Sequence, residues 1–89
     1  MWTETEIKTA ASECVRRAAS NKEFRASARI IQHAINDVYE RTARELLEKS
    51  AEKAASMGLS RDQHIDATAT QLLLMASQAA MNVAAKRKR

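Results

Sequence analysis

The sequence has no proline, one glycine (Gly58), one cysteine (Cys14), and a single Trp, Tyr and Phe. Without proline, and with one glycine, almost nothing in the chain interrupts a helix. A lone cysteine excludes an intramolecular disulfide and a four-cysteine zinc site, and it suits a reducing cytosol. A lone glycine leaves no glycine-rich loop to cradle a phosphate. Large core side chains are scarce, because much of the 45% hydrophobic fraction is alanine, which buries little area. No apolar run approaches the ~18 residues of a membrane span. The best candidate, Leu72-Leu73-Leu74-Met75-Ala76, is far shorter. No basic region followed by an apolar run opens the chain, so no signal peptide is expected.

What is present is helical. The 89 residues suit one domain, read as residues 1–85 followed by a basic tail at 86–89. Three segments read as capping boxes, in which a hydroxyl caps the third helical amide and a Glu or Gln reaches back. They are Thr3-Glu4-Thr5-Glu6, Ser20-Asn21-Lys22-Glu23 and Ser60-Arg61-Asp62-Gln63. Apolar residues recurring at helical spacing follow each box. The pattern predicts an all-α chain of three helices over about 4–19, 21–57 and 61–85, with Gly58 closing the long central one. The residues expected in the core or the dimer contact, on the second and third helices, are Ile31, Ile35, Val38, Tyr39, Leu46, Leu47, Ile65, Leu72, Leu73 and Met75. The exposed side of the central helix reads as a ladder of opposite charges: Asp37 with Arg41, Glu40 with Arg44, Arg41 with Glu45, and Glu45 with Lys49. A helix of about 37 residues is roughly 55 Å long. It would overhang a compact chain of this size, so an intertwined homodimer is expected.

Charge is unevenly distributed. The net charge is +4, and Lys86, Arg87, Lys88 and Arg89 account for all of it, leaving 11 basic and 11 acidic residues in the body. Arg16, Arg17, Lys22, Arg25 and Arg29 surround the first helix connection, opposed there only by Glu23. This patch is the candidate partner-binding site, for an acidic protein surface or for nucleic acid.

No catalytic, cofactor or metal-binding constellation is read from the sequence. Cys14 lies on the apolar stripe of the first helix, where a thiol is a small hydrophobe before it is a nucleophile. His33 and His64 fall on different helices without a ligand partner at metal-site spacing, apart from Asp37 four residues after His33. Met57, Met75 and Met81 suit either a core or an adaptable binding surface.

The order of a short helix, a long central helix and a third helix resembles the histone fold. Ala28-Arg29-Ile30-Ile31 and Met57-Gly58-Leu59-Ser60 are similar to the two ends of its central helix. The chain departs from that fold in its longer central and third helices and its shorter first connection. The expected function is therefore a cytoplasmic, non-enzymatic regulator or inhibitor. It would bind another protein as a homodimer through a charged helix surface, in the antirepressor-like or inhibitor-like style of phages and mobile elements. The competing expectation is a basic nucleic-acid-binding or histone-like architectural protein that uses the Arg16–Arg29 patch and the tail.

Overall fold

Two of the three expected helix starts form as the sequence signals them. The computed structural model of the chain describes residues 2–31 and 35–87, without the side chains of residues 35–37 and 87. The Thr3 hydroxyl accepts from the Glu6 amide and the Glu6 carboxylate accepts from the Thr3 amide, both at 3.1 Å. Helix α1, Glu4–Ala19, starts there. Ser60 and Gln63 make the same reciprocal pair at 3.1 and 2.9 Å. Helix α4, Arg61–Arg87, follows from it. Each box satisfies two amides that the first helical turn leaves without partners.

The middle box does not form. Ser20 is in the right-handed helical region (φ −73°, ψ −15°) and closes α1, its hydroxyl donating to the Arg17 carbonyl at 2.7 Å. Asn21 takes the capping role instead, with its side-chain oxygen accepting from the Glu23 amide at 2.8 Å. Helix α2 runs Lys22–Ile31. With two residues between the helices, one must end the first and the other must start the second. A residue in helical conformation cannot aim its hydroxyl as an N-cap.

The expected central helix over 21–57 is instead two helices, α2 and α3, the latter spanning Ile35–Ser56. The physical reason is visible in two rings. Phe24 and Tyr39 meet edge to face with centroids 5.4 Å apart, and both are buried. Fifteen residues along one straight helix would hold them about 22 Å apart. Folding α2 away from the axis of α3 buries both large rings, each a sizeable share of a small core. The described residues thus form four helices and no strand. The resemblance to a histone-like long central helix does not hold, and the overhang that suggested an intertwined dimer is gone.

Helix α1 lies across α3 and α4, while α2 packs on α4. The groove along the α2–α4 contact is lined by Ala26 and Ile30 from α2 and by Ser77, Ala80, Met81 and Ala84 from α4. The whole measures 45 × 23 × 20 Å. Gly58 turns the chain from α3 to α4 at φ 71°. There the Leu59 amide donates to the Ala54 carbonyl at 3.0 Å and the Gly58 amide to the Ala55 carbonyl at 3.1 Å, the paired bonds of a Schellman end.

Phe24, Leu47, Leu72 and Cys14 are the largest fully buried side chains, and alanines fill the remaining contacts, among them Ala10, Ala11, Ala43 and Ala76. Of the expected core, Tyr39, Leu47 and Leu72 are buried, while Ile31, Leu46, Ile65 and Leu73 are partly buried against it. Val38 and Met75 lie on the surface, 52% and 40% exposed, because their neighbours on α3 and α4 face the other helices. The Ile35 side chain lies outside the described residues. None of the expected pairs Glu40–Arg44, Arg41–Glu45 and Glu45–Lys49 is among the ion pairs of the described residues. The pair Asp37–Arg41 falls outside them.

Leu47→Ala should cost about 2–5 kcal/mol in denaturant unfolding, since the cavity has few large neighbours able to refill it. Gly58→Ala meets no crowding. It should still cost about 1 kcal/mol, because alanine resists the left-handed conformation.

Candidate interaction surfaces

The basic residues singled out by the sequence make different contacts. Arg17 is a clamp between helices. Its guanidinium reaches Glu13 on its own helix at 3.0 Å, and Asp62 and Asp66 on α4 at 2.5 and 3.5 Å. It also donates to the Asp62 carbonyl at 3.4 Å. Planar guanidinium, with five donors in a fixed fork, suits such multiple bonding. Arg25 folds back to donate to the Ala19 and Ser20 carbonyls at 3.1 and 3.2 Å, neutralising the carbonyl end of α1. Arg16 bonds Glu13 at 2.5 Å and remains open to solvent. Lys22 and Arg29 are exposed on α2. The tail residues Lys88 and Arg89 and the side chain of Arg87 lie outside the described residues, as does His33; Lys86 is exposed at the end of α4.

Two carboxylates, Glu13 and Glu6, are held ionised. Hydrogen bonds from Arg16 and Arg17 bring Glu13 down to about 2, and bonds from Arg61 and Thr3 do the same for Glu6. Arg61 also stacks its guanidinium over the Trp2 ring, 4.7 Å from the centroid. Together Arg61, Glu6 and Trp2 fasten the start of α1 to the start of α4. Sequence reading missed this, although Arg61 stands inside a capping box that brings it close to Trp2 once the helices pack.

His64 is buried beneath the α3–α4 end of the bundle. Its Nε2 lies 2.7 Å from the Ser50 hydroxyl, which itself donates to the Leu46 carbonyl at 2.6 Å. Ser50 has one proton to give, so the imidazole is the donor in that contact and carries its hydrogen on Nε2. Burial holds its pKa below the ordinary value near 6.5. The groove above it is lined by Leu46, Ala54, Met57, Leu59 and Ala67, with Lys49 and Lys53 alongside. Cys14 is fully buried, its sulfur 3.5 Å from the Ile65 carbonyl, and desolvation pushes its thiol up to about 11. A thiol in that state is a poor nucleophile at neutral pH. Among the described residues no three His, Cys, Asp or Glu side chains converge as a metal site would need.

The surface also carries large apolar side chains. Leu74 is 58% exposed and Met57 and Met81 are each 62% exposed. Met57, Met75 and Met81 thus lie on the surface and not in the core. The signal was present in the sequence as an uncharged stretch from Ala67 to Ala85. Among the described residues no helix is long and apolar enough to cross a membrane. Comparison with protein-family models, curated proteins and solved structures gave no match to this chain.

Arg17→Glu places an anion among three carboxylates and should lower the thermal midpoint in a calorimetric scan, whereas Arg16→Ala, which removes only an exposed pair, should lower it far less. The pH profile should have two acid limbs. Since the folded state favours neutral His64, the stability it contributes is present above pH 6.5 and is lost as pH falls through its lowered folded-state pKa. Glu6 and Glu13 contribute stability above their ordinary value of 4.5, which is lost as pH falls toward about 2. His64→Gln should abolish the first limb and leave the second.

Proposed function

We propose that this chain is a small non-enzymatic regulator or inhibitor that binds another protein, working in the cytosol as a homodimer. Its style is that of the antirepressor-like and inhibitor-like proteins that phages and mobile elements encode. The observation that carries the reading is the make-up of its surface. Large apolar side chains, Leu74, Met75 and Met81, stand uncovered on α4, while exposed charges occupy α2 and α3. An apolar centre with a polar surround is how protein interfaces are built, and monomeric surfaces rarely leave such side chains together.

The charged part of the contact falls to Lys22 and Arg29, exposed on α2. Arg17 and Arg25 are already bonded to groups of the chain itself, which leaves fewer cations to follow a phosphate backbone than the sequence alone promised. Lys22 also sits in the first turn of α2, where the helix dipole disfavours a cation, so the fold itself gains nothing from it.

Affinity capture with the wild-type chain and with Lys22→Glu/Arg29→Glu, compared by mass spectrometry, tests this. A protein retained by the first and lost by the second supports the reading. Identical sets from both remove this surface from the mechanism. Fluorescence anisotropy with labelled duplex and single-stranded DNA is the counter-test. Binding that survives physiological salt and weakens in the same variant would replace a protein partner with nucleic acid.

A further inference from the structure

The groove above His64 is set apart by where its charges stand. Its floor is Ala54, His64 and Thr68, all buried. The Thr68 hydroxyl donates to the His64 carbonyl at 2.9 Å, and the imidazole is bonded to Ser50. No buried side-chain polar atom among the described residues lacks a partner, so hydrocarbon covers this floor best. Along α3 the groove runs from Leu46 to Met57, about 16 Å at the helical rise.

Lys49 and Lys53 stand on the α3 wall, exposed, and neither is in an ion pair among the described residues. Arg16, Arg17 and Arg61 each hold a carboxylate. No carboxylate lines the groove. Glu45, Glu48 and Glu52 lie roughly 100° or more around α3 from Leu46, whereas Lys49 and Lys53 lie within roughly 60° of it. Asp62 and Asp66 are on the far side of α4 from His64, bonded to Arg17. The groove therefore sets two cations and no anion beside an apolar floor.

We propose that this groove binds an acidic amphipathic helix of another protein. The apolar stripe of that helix lies on the floor, and two carboxylates, four residues apart on one flank, meet Lys49 and Lys53. The spacing of the lysines identifies the occupant. They stand along the wall about 6 Å apart, one helical turn. A fatty acid brings a single carboxylate and calls for cations that close one end of a groove. A helix brings carboxylates at the same one-turn spacing, so each lysine meets its own. Three turns of helix fit the length of the groove and seat apolar residues at i, i+3 or i+4, and i+7. The α4 wall offers Ala67 and Gln71, so the second flank of the bound helix is uncharged there. Met57 at the mouth adapts to the side chain it meets. The same two lysines repel a basic helix, which makes the groove selective by sign.

The inference rests on the protein-binding part of the proposed function and adds a second contact, separate from Lys22 and Arg29. The probe is a fluorescein-labelled synthetic helix of about 15 residues, near the shortest length that holds helix in water. It carries leucines at i, i+3, i+4 and i+7 and glutamates four apart on one flank. Its twin has lysine in place of each glutamate. By fluorescence anisotropy the glutamate probe should bind the wild-type chain more tightly than the twin does. Lys49→Gln/Lys53→Gln should weaken the glutamate probe about tenfold and remove the preference, as expected for two rim ion pairs. Both lysines are exposed, so this variant should keep the helical circular dichroism of the wild type. Lys22→Glu/Arg29→Glu should bind the probe as the wild type does, so the groove and the α2 surface can fail separately. Equal binding of the two probes, or a preference that survives in Lys49→Gln/Lys53→Gln, would overturn the proposal. So would displacement of the probe by a fatty acid at lower concentration than by unlabelled peptide, which would make the occupant a lipid.

Discussion

The fold depends on how little space its contact residues occupy. Alanines at the helix crossings, among them Ala10, Ala11, Ala43 and Ala76, leave little side chain to hold α1, α3 and α4 apart. That closeness brings backbone and side chain into bonding distance across helices, as where the Cys14 sulfur meets the Ile65 carbonyl. Each alanine buries little surface, however, so Phe24, Leu47 and Leu72 carry a disproportionate share of the hydrophobic stabilisation. The remaining definition comes from polar devices at the helix ends: two capping boxes, the Gly58 turn, and the guanidinium groups of Arg17, Arg25 and Arg61. Arginine here acts mainly as mortar between elements with few large side chains to interlock.

Much of this was legible in the sequence where a local rule decides the structure. Thr3 with Glu6 and Ser60 with Gln63 mark their helix starts without help from the rest of the fold. Gly58 marks its end, because a left-handed residue there needs no tertiary context. The start of α1 and its end at Ala19 follow from the pattern for the same reason.

What was not legible depends on which residues meet in space. Helix periodicity continues without offence through positions 31 to 35, and no proline or glycine interrupts it. Only the gain from joining Phe24 to Tyr39 shows that the chain must turn. Similarly, Ser20 and Asn21 are both good caps, and the tie is broken by the need to end α1. The basic patch was read as a surface because charges are usually solvated. That two of its five members bond inward follows from where α4 places Asp62 and Asp66, and from where α1 ends. The uncharged stretch of α4 was in plain view, but the broader apolar girth of the helix concealed which side the fold would leave open.

The placement of the aromatic rings has a practical consequence. The one tryptophan sits under Arg61 with its ring centroid 5.8 Å from that of His64, at the end of the bundle where α3 turns into α4. The one tyrosine packs on Phe24, about 16 Å further along α3 from Ser50 by helical rise. Each end of the molecule therefore carries its own chromophore. Indole emission senses the protonation state of a neighbouring imidazole, and the near-ultraviolet dichroism of tyrosine senses whether α2 is docked. An unlabelled sample reports on both ends at once, and a helix pair that loosens before the rest of the bundle would betray itself by colour.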